Sequence, residues 1–159
     1  MTQYYGKYRG KVVANVDPMR MGRVLIACPH VLGIATNWAM PCLPFAGPTE
    51  GFFVLPMPGS NVWVEFEQGD PNRPIWTGQF WDVGVNPLAA LPPTTRVHIK
   101  TLNTELTLDE ALGVKLAITL PVPCTISLGP AGVQVSCGAA SVKLDPARVV
   151  LNDGALEVI

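Results

Sequence analysis

Every aromatic residue of this 159-residue chain lies at or before position 81. Tyr4, Tyr5, Tyr8, Trp38, Phe45, Phe52, Phe53, Trp63, Phe66, Trp76, Phe80 and Trp81 account for all of them, and Asp82 to Ile159 contains none. A compact core ordinarily uses rings as bulky filler, so the two parts of the chain must pack by different means. The change falls beside Asn86-Pro87 and Leu91-Pro92-Pro93-Thr94-Thr95, a stretch that proline biases toward extended backbone. The sequence therefore divides into a first domain at residues 1–85, a Pro-rich linker at 86–94 and a second domain at 95–159.

The first domain reads as strands. Tyr8 to Val16 and Gly22 to Cys28 are β-rich runs around the turn Asp17-Pro18-Met19-Arg20-Met21. Asn61 to Glu67 and Pro74 to Trp81 form a hairpin around Gln68-Gly69-Asp70-Pro71-Asn72-Arg73. In its first strand Val62, Val64 and Phe66 alternate with Trp63, Glu65 and Glu67, so the former set faces a core and the carboxylates face water. With 15 Gly and 16 Pro in the chain no long helix is expected. About five strands in some 80 residues fit a small closed barrel of the OB type.

The second domain repeats a shorter unit. Val114, Leu116, Ile118 and Leu120 share one face, followed by Ile126/Leu128, Val133/Val135, Val142/Leu144, Val149/Leu151 and Leu156/Val158. From Ile126 onward these pairs recur every seven to nine residues, with turns expected at Gly129, Gly132, Gly138 and Asp153-Gly154. Sandwich strands recur every ~8–12 residues and carry larger fillers. The pattern reads instead as rungs of a β-helix or β-prism. One such ribbon would expose a whole apolar stripe, costly enough to demand partners. Side chains this small suit a narrow axis shared by three chains. The expected fold is all-β: an OB-fold-like barrel followed by a trimeric intertwined β-helix. Its axis is built by Leu116, Ile118, Cys124, Ile126, Leu128, Val133, Val135, Cys137, Val142 and Leu144.

Charge and motifs exclude several functions. Eleven Lys and Arg against twelve Asp and Glu give a net charge of −1, without the massed basic face of a nucleic-acid binder. Lys7, Arg9 and Lys11 are the one local basic cluster. The alternative to a structural role is a single-stranded nucleic-acid-binding OB protein with an oligomerisation tail, its tryptophans serving as stacking platforms. No apolar run approaches the ~18–20 residues of a membrane span, and the first residues lack a secretory signal, so synthesis in the cytosol is expected. His30 and His98 stand in no metal-ligand spacing, and Ser60 in Pro58-Gly59-Ser60-Asn61 is no nucleophile elbow. Glu65 and Glu67 fit a solvated strand face better than a catalytic carboxylate pair. No enzymatic activity, cofactor or metal is expected. Cys28, Cys42, Cys124 and Cys137 read as free, buried thiols. Cys124 and Cys137 share the parity of the axis residues, and three symmetry-related thiols cannot all pair, so both are expected to stay reduced.

Three motifs in order carry a family resemblance. The first is Tyr5-Gly6-Lys7-Tyr8-Arg9-Gly10-Lys11-Val12, running to Asp17-Pro18, Gly22-Arg23-Val24 and Cys28-Pro29. The second is Trp38-Ala39-Met40-Pro41-Cys42-Leu43-Pro44-Phe45-Ala46-Gly47, with Gly51-Phe52-Phe53 and Pro56-Met57-Pro58-Gly59. The third is Val62-Trp63-Val64-Glu65-Phe66-Glu67-Gln68-Gly69-Asp70, continuing to Pro74-Ile75-Trp76-Thr77-Gly78. Together they resemble the phage baseplate assembly protein V and VgrG spike proteins of contractile injection systems. The resemblance implies an OB-like domain beneath a trimeric hub and a trimeric needle that helps breach the target envelope. It also implies assembly in the bacterial cytoplasm into a virion tail or injection particle. Hub contacts are then expected at Tyr4, Tyr5, Lys7, Tyr8 and Arg9, the alternative being that Tyr8 belongs to the barrel core and Lys7, Arg9 and Lys11 are solvated. A PAAR-type tip protein is expected to dock on Gly154, Ala155, Leu156, Glu157, Val158 and Ile159, where the alternating pattern runs to the last residue without a cap. The lysozyme domain that some relatives carry between barrel and needle has no room here. The iron-binding His-x-His of others is missing from the last residues, so neither property carries over.

Overall fold

The computed structural model describes residues 2–86, 96–119 and 121–158. The chain forms two compact units, one up to residue 88 and one from residue 89. The Pro-rich stretch at 87–95 lies outside the described residues, as do Leu120 and Ile159.

The first unit is a closed barrel of five strands: β1 (Tyr8–Ala14), β2 (Val24–Ala27), β3 (Thr36–Pro41), β4 (Asn61–Phe66) and β5 (Pro74–Phe80). They close in the order β1-β2-β3-β5-β4, and the β3–β5 pairing is the parallel one. Alternation sets the interior: Val62, Val64 and Phe66 of β4 are buried while Asn61, Trp63 and Glu65 stay partly open. Val12, Val24, Ile26, Cys28, Ala39 and Trp76 complete the core. Gly10 marks how tightly the barrel closes. A Cβ there would stand 2.6 Å from Val64 Cγ2 and 3.3 Å from the Ala27 carbonyl, so β1 can seat between its neighbours only without a side chain at that point. A short helix, α1 (Pro29–Leu32), follows β2. Among the described residues, no helix is long and apolar enough to cross a membrane.

The β1–β2 turn is organised by one carboxylate. Asp17, with its side chain 4% exposed, pairs with the Arg23 guanidinium at 2.7 Å. It also accepts the backbone N–H groups of Met19, Met21 and Arg23. The Arg23 hydrogen bond holds this carboxyl well below the usual carboxylate range; burial opposes that shift and the three N–H groups reinforce it. The charged partner in turn raises Arg23. Because the folded pKa of Asp17 is depressed, its stabilisation is complete above the unfolded carboxylate's ~3.9 and is lost only as pH falls through the lowered value. Asp17→Asn should therefore be less stable than wild type by a constant margin from neutrality down to about pH 5, the gap closing only below about pH 4. Urea midpoints at successive pH values check this, and a gap already closed at pH 5 contradicts it.

The second unit is one antiparallel sheet of eight strands: β6 (Arg96–Lys100), β7 (Thr104–Asp109), β8 (Gly113–Ile118), β9 (Cys124–Gly129), β10 (Gly132–Cys137), β11 (Ala140–Leu144), β12 (Val149–Leu151) and β13 (Leu156–Val158). Each strand pairs with its neighbours in sequence, β6 and β13 forming the two edges. The turns fall on Gly129 to Gly132, on Gly138 and on Asn152–Gly154. Asp109 closes the β7–β8 turn by accepting the N–H groups of Ala111 and Leu112. Asp145 closes the β11–β12 turn in the same way. The Ala147 N–H, then the Arg148 side chain, hold its carboxyl below the usual range. The described strands of a single chain thus form a meander.

Candidate functional site

Directly opposed residues of an antiparallel ladder share a face, and the register of the second unit sorts its side chains almost completely. Leu106 faces Leu116, which faces Ile126, which faces Val135, which faces Val142. One step along, Leu108, Val114, Leu128, Val133 and Leu144 form a second row. Val97 and Ile99 extend both rows onto β6, and Val149, Leu151 and Leu156 extend them toward β13. The opposite face carries His98, Lys100, Glu105, Thr107, Lys115, Thr125, Ser127, Gln134, Ser136, Ser141 and Lys143.

Inside one chain the apolar face is not covered. No described residue of the second unit is buried. Leu116 is 38%, Ile126 43%, Val135 45% and Leu144 46% exposed. Full burial of such a side chain is worth ~1.5–3 kcal/mol, so with each already half covered roughly 1 kcal/mol per residue remains to be gained. An apolar face of this length marks an interaction surface. All ten residues expected at the shared axis lie on it, with Ile118 opposite Cys124 and Cys124 opposite Cys137. The contributions of β6 and β7 were not foreseen, although Val97-His98-Ile99 and Leu106-Thr107-Leu108 carry the same alternation.

The cysteines differ from the sequence expectation. Cys124 and Cys137 are not separate thiols: they stand opposite each other in the β9–β10 ladder, Cα atoms 4.1 Å apart, and are joined in a disulfide. An odd number of symmetry-related thiols bars complete pairing between chains, but it places no bar on a partner in the neighbouring strand of the same chain. Cys42 is exposed rather than buried, while Cys28 is buried and free, its thiol pushed up by that burial.

The residues expected to meet a hub divide between packing and exposure. Tyr4 and Tyr8 pack edge-on at 6.2 Å, and both rings lie on Phe66 at 6.2 and 5.6 Å. The Tyr4 N–H also donates to the Gly69 carbonyl. These two rings extend the barrel core. Tyr5 is 65% exposed. Lys7 pairs with Glu65, and the Arg9 guanidinium lies over the rings of Trp63 and Phe80 at 5.5 and 4.9 Å.

Glu67 is paired with Arg73, on the exposed side of the hairpin. His30 sits exposed on α1. His98 is enclosed on the polar face of the second unit, with Nε2 3.3 Å from Glu105 and Nδ1 3.5 Å from the Thr107 hydroxyl. Of the expected tip residues, Gly154, Ala155 and Leu156 are exposed at the β12–β13 turn and the start of β13, the edge strand. Glu157 and Val158 are placed by register opposite Val150 and Val149. Ile159 lies outside the described residues.

Residues 8–81 match the family model described as the type VI secretion system/phage-baseplate injector OB domain. Residues 96–157 match that described as the phage baseplate V C-terminal trimerisation domain. A search of curated proteins finds no match to the chain.

Proposed function

Since the chain belongs to the phage baseplate V family of injector spike proteins, with the OB and trimerisation domains in that order, we propose that it is the non-enzymatic central spike of a contractile tail or related injection machine. Three chains join their apolar faces into a rigid needle. The barrel docks beneath the hub, and the needle transmits the force of contraction onto a small area of the target envelope. The observation that carries this reading is a coincidence of location: the residues matching a trimerisation domain are those whose apolar face one chain leaves open. Assembly into the particle would take place in the bacterial cytoplasm.

The partners follow from the surfaces. With Tyr4 and Tyr8 occupied by Phe66, Tyr5 and the Arg9–Trp63–Phe80 stack are the groups of this region left for a hub protein. Edge strand β13 offers unpaired backbone groups to a PAAR-type conical tip. The nucleic-acid alternative is weakened at the basic cluster, where two of its three members are engaged, Lys7 by Glu65 and Arg9 by two rings.

Co-expression with a hub protein and a PAAR-type tip protein tests the assignment. The full chain should retain both on affinity capture. Removing residues 155–159 should abolish tip retention and leave the trimer and the hub contact intact. Retention of neither partner by the full-length trimer would overturn the docking assignments.

A further inference from the structure

We propose that the barrel carries a saccharide-binding site, taking a neutral pyranose, at the start of β4 and the end of β5. A cavity of about 500 Å3 opens there, within the ~300–1,000 Å3 of small-molecule sites. Trp81 lines it and is 57% exposed, an indole left open to solvent in a concave setting. Phe80, already stacked on Trp63 at 4.6 Å, and Val85 add apolar wall. Beside these stand polar groups with hydrogen-bonding capacity to spare. Asn61 donates to Asp82 Oδ2 at 2.9 Å, which positions the carboxylate. An ionised carboxylate offers about four acceptor sites, so most of its capacity remains after that bond. Gln79 is exposed in the same lining and brings both a donor and an acceptor.

The chemistry of the lining selects the ligand class. Among the described residues that line it, the one charged group is the Asp82 carboxylate, which repels phosphates, nucleic acids and carboxylates. The indole calls for a flat apolar face. The carboxylate and amides call for several hydroxyl donors and acceptors around that face. A pyranose ring presents both, its axial C–H groups on one side and its hydroxyls at the rim. This site is distinct from the apolar face of the second unit, so its failure leaves trimerisation and the spike reading untouched.

The test titrates the full-length protein with maltotriose, cellotriose and triacetylchitotriose separately, by calorimetry and by tryptophan fluorescence. At least one should show saturable binding in the millimolar range. Trp81→Ala should weaken that binding about tenfold or more, the equivalent of one lost stacking contact. Asp82→Asn should weaken it several-fold with the Trp81 signal still present. Both positions are exposed, and circular dichroism of each variant establishes that the barrel is folded. Saturable binding by none of the three sugars overturns the proposal. So does binding that survives Trp81→Ala unchanged.

Discussion

Val135→Asp should leave this protein unable to hold three chains together. Val135 lies mid-sheet, opposite Ile126 on one side and Val142 on the other, on the face of the second unit that is open in a single chain. In a trimer an aspartate there would be taken out of water without a cation to pair it, at several kcal/mol per ion, and three times over near one axis. The carboxylates could escape by protonation, but each would then remain a polar group in an apolar interface. Against roughly 1 kcal/mol gained per ordinary side chain of that face, the penalty erases the contribution of its neighbours. Size-exclusion chromatography with light scattering should find monomers or aggregates in place of a defined trimer. Ser136→Asp, one residue along on the polar face, should assemble normally. Equal behaviour of the two variants would mean that this face is not the one the chains share.

The second large effect is expected in the barrel. Trp76 is 5% exposed and supplies the largest side chain of a core made mostly of Val, Ile and Ala. Its Nε1 donates to the Gly22 carbonyl at 3.4 Å, tying β5 to the β1–β2 turn. Truncating a buried Trp to Ala costs ~3–5 kcal/mol, a large share of the ~5–15 kcal/mol that holds a domain together. Trp76→Ala should therefore lose the barrel's cooperative melting transition or lower it by well over ~10 °C. The trimer should survive, because Trp76 lies in the barrel while the open apolar sheet face described above belongs to the second unit. A variant that melts like wild type would show that Trp76 does not organise the core.

Much of this was legible before the structure because β-strands declare their faces at a period of two. The parity of Val62, Val64 and Phe66 placed the barrel interior, and that of Val114 to Leu144 placed the open face, since both depend only on residues close in sequence. What escaped depends on register or distant packing. The Cys124–Cys137 bond exists because the β9–β10 turn brings those two residues opposite each other, a pairing that parity alone does not specify. For Tyr8 the sequence leaves a hub contact and the barrel core both open; the packing of Tyr4 and Tyr8 on Phe66, far along the chain and brought near by the β1–β4 pairing, is visible only in the fold. Strands β6 and β7 carry the same two-residue alternation, Val97/Ile99 and Leu106/Leu108, but they stand next to the Pro-rich stretch, and only pairing through β7 to β8 joins them to the face.

If the second unit is one third of a needle core, native mass spectrometry will register it. The full-length protein at micromolar concentration should appear at three times the 17.0 kDa chain mass. That state should persist on dilution and after reduction of the Cys124–Cys137 bond, because the bond lies within one chain. A folded species at 17.0 kDa, with the second unit's sheet intact by circular dichroism, would contradict the account.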